Sequence, residues 1–207
     1  PAAFLQAIGL SEISYLGRPA VRMPRSRATP RGRRLDEHEL ASIVRHATDG
    51  YRPGVALLAW TGCRISEACA LRWQDVDFVE GEITIRGQLT RAKRGERARI
   101  VPRKGGAPPY IAILFPALEH LLVEHLRAEQ EAGRGRDGDF VLSTRTGLPL
   151  HQRNLQRAVE EAGEKAGLGK VTPHDLRRSF CSLAARRGVD PVQAARMTGH
   201  SLDVWTR

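Results

Sequence analysis

The feature that most limits what this chain can fold into is a series of capped, helix-period segments broken by only two stretches of strand-like alternation. Asp36 and Glu39 form a capping-box pair ahead of Leu40, Ile43 and Val44 at helical spacing. Pro53 and the apolar run Val55 to Trp60 predict a second helix, interrupted at Thr61-Gly62, and a third runs from about Ile65 to Leu71. Pro116 opens a helix carrying Leu118, Leu121, Leu122 and Leu126 that stops around Gly133. Asn154 to Ala166 ends at Gly167, Pro173 precedes a helix reaching Gly188, and Asp190-Pro191 caps one that ends at Gly199. Glu82 to Gly87 and Tyr110 to Leu114 alternate with period two, and Phe140-Val141-Leu142 is a short extended piece. So few strand residues build only a small antiparallel sheet, and helices must supply the core. The expectation is a mainly helical α+β domain, with a mobile hairpin in the basic, Gly/Pro-bearing stretch between the two alternating segments.

That domain should occupy residues 35–207. Ahead of it, residues 1–34 carry a short apolar stretch (Phe4, Leu5, Ile8, Leu10) and a basic, proline-bearing segment from Arg22 to Arg34. They read as an arm or linker that could lie along a phosphate backbone; an unstructured tail is the other reading. Both ends, Pro1 and Arg207, look like cuts within a longer protein. The formal net charge is +10, and of 33 basic residues four are lysines, leaving 29 arginines. Such a balance favours a polyanionic partner, and arginine holds phosphate with a planar fork that lysine lacks. Genome base composition explains the same arginine excess, so charge alone does not assign nucleic acid. Three cysteines (Cys63, Cys69, Cys181) with no C-x-x-C pair indicate neither a disulfide framework nor a zinc knuckle, and reduced, buried thiols point to the cytoplasm. No apolar run of about 18 residues predicts a membrane span, and no signal-peptide pattern opens the chain.

Four segments carry candidate chemistry. Thr61-Gly62-Cys63-Arg64-Ile65-Ser66-Glu67 places an arginine at a helix-to-helix turn, where backbone N–H groups lack helical partners. His174-Asp175-Leu176-Arg177 puts His and Arg three apart, on one face of a helix start. Thr198-Gly199-His200-Ser201 sets a histidine just past a helix end, and Arg103-Lys104-Gly105-Gly106 sits between the strand segments. Alone, each has a blander explanation: an arginine beside a turn is an ordinary salt-bridge partner, and a histidine before an arginine is usually structural. His120, His125 and His151 are read as surface or core residues. Together the segments suit phosphoryl transfer without metal or cofactor. Arginines and donor histidines aimed at nonbridging oxygens stabilise the transition state, and a lysine can protonate the leaving oxygen. No acidic cluster suited to a two-metal site is evident.

The segments T-G-C-R-I-S-E, H-D-L-R-R-S-F and T-G-H-S resemble, in order, the three signatures of the tyrosine recombinases (phage-integrase family), and Ala68 to Phe78 resembles that family's entry into its first strand. The similarity covers roughly residues 35–207. It implies a catalytic domain with a three-stranded antiparallel sheet and a pocket built from Arg64, a hairpin lysine, His174, Arg177 and His200. In it the arginines clamp the scissile phosphate, His174 assists proton transfer and His200 donates a hydrogen bond to the phosphate. Glu67 orients Arg64 rather than reacting, and Arg178 contacts DNA backbone. The lysine is Lys93 or Lys104; Lys104 is favoured because it precedes the Tyr110–Leu114 strand and the Pro116 helix.

The resemblance also implies double-stranded DNA as partner, four protomers on two duplexes for the complete protein, and a 3′-phosphotyrosyl intermediate. In one place the sequence departs from the pattern: the nucleophilic tyrosine is expected about two residues beyond Arg207, and Tyr15, Tyr51 and Tyr110 all lie in the wrong context. On that reading this stretch binds DNA and does not cleave it, and residues 1–34 hold at most a remnant of the family's core-binding domain. The competing class is a non-catalytic DNA-binding protein, either a helix-turn-helix regulator with Asp190 to Trp205 as its motif or a degenerate recombinase remnant that still binds DNA; a repressor has no use for the Arg64 and His174/Arg177 pairings. The charge yields a first prediction. With about six to ten phosphate contacts, affinity for duplex DNA should fall by roughly a thousandfold or more between about 50 and 200 mM salt. Salt-independent binding in a fluorescence titration, or no binding at low salt, would contradict it.

Overall fold

A computed structural model describes residues 34–90 and 98–199. The arm at residues 1–33, Lys93, His200 and the stretch to Arg207 lie outside the described residues, as do Tyr15 and the second half of the Asp190–Trp205 segment. The described helices are α1 (Glu37–His46), α2 (Arg52–Thr61), α3 (Ile65–Ala68), α4 (Pro116–Glu131), α5 (Gln152–Lys165), α6 (Pro173–Arg186) and α7 (Pro191–Thr198). The strands are β1 (Val76–Asp77), β2 (Glu82–Ile85), β3 (Gly87–Leu89), β4 (Ile100–Pro102) and β5 (Tyr110–Ile113).

Helix α2 organises the domain. Val55, Ala56, Leu57, Leu58 and Ala59 are buried, so it is apolar all round and needs neighbours on every side. It has them in α1, α4, α5 and α6. Around it Ile43, Leu118, Leu122, Leu155 and Leu176 close the core with little or no exposure. The local signals do what they should. Asp36 caps α1 through a reciprocal pair with Glu39, at 2.9 Å in each direction. Proline stands in the first turn of α2, α4 and α6.

The sheet is antiparallel, in the order β1-β2-β5, with Ile83 opposite Ala112 and Ile85 opposite Tyr110. Alternation sends Ala112 and Tyr110 into the core while Ile111 stays exposed. The segment between β2 and β5, expected to be one mobile hairpin, instead contains a separate two-stranded ribbon. In it β3 pairs with β4 in the register Gly87–Pro102, Gln88–Val101 and Leu89–Ile100. Strands of three residues, one holding Gly87 and the other Pro102, carry too little alternation to be read in advance.

Two contacts fasten the start of the domain to α6. The Leu35 N–H donates to Ser179 Oγ at 2.8 Å, and the Arg187 Nη2–Glu37 Oε2 pair spans 2.6 Å. At the far end of α2 the chain turns through Gly62 with φ +63°, where an added Cβ would lie 2.7 Å from the Phe180 ring. Gly62→Ala therefore meets both a left-handed backbone and a collision, and should cost about 1–3 kcal/mol of stability in urea unfolding. Phe180→Leu in the same chain should recover part of that loss; a Gly62→Ala protein with the parental midpoint would contradict this account.

Candidate active site

Three chain turns far apart in sequence meet at the C-terminal end of α2, and arginines join them. Past Gly62 and the buried Cys63, Arg64 stands at the N-cap of the short α3, and Glu67 closes back on it. Glu67 Oε2 accepts the Arg64 backbone N–H at 2.8 Å, and Oε1 accepts Arg64 Nη1 at 3.0 Å. The Arg64 side chain keeps about a third of its surface exposed, whereas Glu67 is 1% exposed. Glu67 Oε1 also accepts Arg103 Nε at 3.2 Å, and Oε2 accepts the Tyr110 hydroxyl at 3.2 Å. A carboxylate with four donors is a rigid anchor for the arginine it orients.

Arg177, on α6, is 4% exposed. Its Nη1 donates to the Gly62 carbonyl at the end of α2, and its Nη2 to the Thr198 carbonyl at the end of α7, 2.8 Å away. One guanidinium thus caps two helix C-termini, where the backbone dipoles favour a cation. It links the T-G-C-R turn and the T-G-H turn to the H-x-x-R helix. That helix start is fixed by Thr172, Pro173 and Asp175: Asp175 Oδ2 accepts the Thr172 N–H at 3.0 Å and the Thr172 hydroxyl at 2.6 Å. His174 stands exposed beside it, so the His174/Arg177 pair is split between solvent edge and interior rather than presented on one outer face.

Lys104 begins a tight turn, Lys104–Gly106, in which Gly105 and Gly106 both have positive φ. Its side chain is exposed and makes no hydrogen bond or ion pair with the described residues. Its neighbour Arg103 points the other way, 4% exposed, donating to Glu67, to the Pro108 carbonyl and, from Nη2 at 3.0 Å, to the Gly199 carbonyl. The guanidinium lies 4.3 Å over the Tyr110 ring. Sequence reasoning gives Arg103 no role and reads Tyr110 as a packing residue; their contacts with Glu67, and that of Arg103 with Gly199, lie too far along the chain for a local pattern to reveal them. Burial drives the Tyr110 hydroxyl far above its ordinary value, and likewise pushes the Cys63 thiol up to about 12. Neither is a ready nucleophile.

Arg64, Arg103 and Arg177 stand against the carboxylates of Glu67 and Asp175, a formal excess of 3 − 2 = +1 at this junction. Unbalanced positive charge held at low exposure favours an arriving anion. Among the described residues no group of three or more His, Cys, Asp or Glu is arranged to hold a metal ion. Beside the site, a groove of about 560 Å³ between the β3–β4 ribbon and α5 is lined by His151, Arg153, Arg157 and Lys170, with Glu160 among them.

The same field acts on His174. Partial desolvation of the ring, then Arg178, lower its pKa; Asp175 opposes them, and Arg177 and Arg64 add smaller lowering pushes. The neutral imidazole therefore persists to lower pH than usual, leaving a group able to accept a proton. The unfolded chain takes up this proton first, so folding stability falls as pH drops through the ordinary histidine value. An NMR titration of the His174 ring should give a midpoint below about 6.5, and Arg178→Ala should raise it. A midpoint at or above that value would contradict the assignment.

Residues 33–207 match the profile of the phage integrase family. The chain is 32% identical over 171 residues to the tyrosine recombinase XerA of Thermococcus kodakarensis, covering 81% of this chain and 53% of that protein. It is 31% identical over 173 residues to XerC of Xanthomonas campestris pv. campestris, covering 81% and 47%. The chain thus spans about half the length of these curated relatives. Among solved structures it is similar to the XerA recombinase, with TM-score 0.65, 26% identity, and 89% and 62% of the two chains covered. It also shares the fold of the Tn1549 transposon integrase, solved in complex with transposon right end DNA, with TM-score 0.70, 21% identity, and 86% and 61% covered. A mainly helical domain with a small antiparallel sheet, three signature turns joined by Arg177 and these likenesses agree: the chain belongs to the phage integrase family of tyrosine recombinases.

Proposed function

We propose that this domain is the catalytic domain of a site-specific DNA recombinase, cleaving and rejoining duplex DNA through a 3′-phosphotyrosine intermediate. The observation that carries the reading is the excess of positive charge where Arg177 grips the Gly62 carbonyl, two residues ahead of Arg64, suited to the nonbridging oxygens of one phosphodiester. A tyrosine hydroxyl attacks phosphorus, the P–O5′ bond breaks, and the departing O5′ takes a proton. A 5′-hydroxyl later attacks the phosphotyrosine, returning the tyrosine and remaking the backbone. Arg64 and Arg177 hold the phosphate, His174 assists proton transfer with the tyrosine, and His200, which follows the Gly199 carbonyl held by Arg103, donates to the phosphate. Lys104 or Lys93 supplies the leaving-group proton. Lys104 is favoured because it precedes β5 and α4.

The nucleophile is a tyrosine beyond Arg207. Tyr110, though its hydroxyl lies at the site, is buried against Glu67, and Tyr51 sits at the start of α2. The basic groove beside α5 faces the DNA, and the complete protein acts as a tetramer on two duplexes. A non-catalytic DNA-binding role leaves the Arg64–Glu67–Arg177 arrangement without a purpose.

On a nicked suicide duplex, residues 1–207 alone should form no covalent protein–DNA adduct, and the chain extended through the tyrosine should form one. In the extended chain Arg177→Ala should slow adduct formation by an amount equivalent to about 2.7–4 kcal/mol. A 5′-bridging sulfur, which leaves without a proton, should rescue Lys104→Ala and not Arg177→Ala. Rescue of Lys93→Ala instead would move the general acid to Lys93. An adduct formed by residues 1–207 would refute the placement of the nucleophile.

A further inference from the structure

We propose that Arg103 is a positioning residue of this active site, clamping the Glu67 carboxylate, and through it Arg64, to the backbone that leads into His200. The inference rests on the recombinase reading and adds a residue to it. Each nitrogen of the Arg103 guanidinium has its own partner, and the partners come from three segments. Nε holds Glu67 Oε1 at 3.2 Å, Nη1 holds the Pro108 carbonyl, and Nη2 holds the Gly199 carbonyl at 3.0 Å. The plane is seated on Tyr110, whose hydroxyl binds the other Glu67 oxygen at 3.2 Å. Gly199 is shaped to this contact: its φ is +61°, and an added Cβ would fall 2.0 Å from Arg103 Nη2 and 2.6 Å from the Tyr110 ring. A lysine could neutralise Glu67 as a point charge, yet it could not span Glu67, Pro108 and Gly199 with one rigid fork.

The charge logic gives the clamp its purpose. Glu67 Oε1 is shared between Arg64 at 3.0 Å and Arg103 at 3.2 Å. With Arg103 on its inner side, the carboxylate orients Arg64 without cancelling it, and Arg64 keeps net charge for the phosphate. Without Arg103, Arg64 is the one guanidinium left on Glu67, so its charge is neutralised, and the end of α7 keeps its Arg177 link but loses the second link that Gly199 makes through Arg103. Arg103 thereby sets Arg64 through Glu67, holds the Gly199 carbonyl at the end of α7, and touches no substrate itself.

The test uses the full-length protein and a nicked suicide duplex whose site is selected from a random-sequence pool. Arg103→Lys and Arg103→Gln are compared with the parent for melting, duplex affinity and single-turnover adduct formation at a temperature where each is folded. Expected is unchanged affinity, with adduct formation slowed by about tenfold to a hundredfold in both variants, and no rescue by a 5′-bridging sulfur. Arg103→Lys reacting at the parental rate would show that charge balance alone is needed and would overturn the proposal. Full rescue by the sulfur substrate would show that Arg103 acts by placing Lys104, which overturns it too. If neither variant folds, Arg103 is core support and the proposal is wrong. A parent protein that binds the duplex and forms no adduct would instead sink the recombinase reading, and this inference with it.

Discussion

A single carboxylate, that of Glu67, holds the reactive end of this domain together. Placing a charge at 1% exposure is costly, and the cost is offset by four donors: the Arg64 amide, the Arg64 and Arg103 guanidiniums and the Tyr110 hydroxyl. Helix α3 has only four residues and could not hold its shape alone. It is fixed because Glu67 binds its first amide on one side and the β4–β5 connection on the other. The two sheets and the helical body are therefore locked at one point, and that point adjoins Arg64, the arginine proposed to clamp phosphate.

The rest of the architecture keeps that point still. Helix α2 is buried on all sides and ends at Gly62, so the T-G-C-R turn leaves the core from its most constrained element. Arg177 reaches from α6 to the last carbonyls of α2 and α7 and draws two helix ends toward each other. Cationic side chains stand where helix dipoles and carbonyls welcome them, and one buried carboxylate limits their mutual repulsion. If the site takes the phosphate proposed for it, its charges are already in place, which is the condition for electrostatic stabilisation without reorganisation.

Sequence reading succeeded where the causes are local. The Asp36–Glu39 capping pair and the prolines at the start of α2, α4 and α6 act within one turn, and the helices they predict are present with ends shifted by a few residues. The three signature turns were legible as motifs, and Glu67 was read as orienting Arg64, the contact it makes. The β3–β4 ribbon was missed because its strands are too short to show a period. Arg103 was missed because its ligands lie 36 and 96 residues away, and nothing near it in the chain says that it turns inward while Lys104 turns out. The His174/Arg177 spacing was read as one face; residues three apart stand about 60° from each other around the helix axis, enough to leave one in water and bury the other.

The latch at the start of the domain gives the site a mechanical dimension. The Leu35 amide grips Ser179 just two residues past Arg177, and Glu37 is paired with Arg187 at the far end of the same helix. Ser179 is itself bound to the Asp175 carbonyl, one turn back toward His174. Tension on the chain ahead of Leu35 is therefore not absorbed by a slack tether. It is delivered to α6 as a load on the rod that carries Arg177, so whatever pulls at Leu35 pulls also on the Gly62 and Thr198 carbonyls that Arg177 holds.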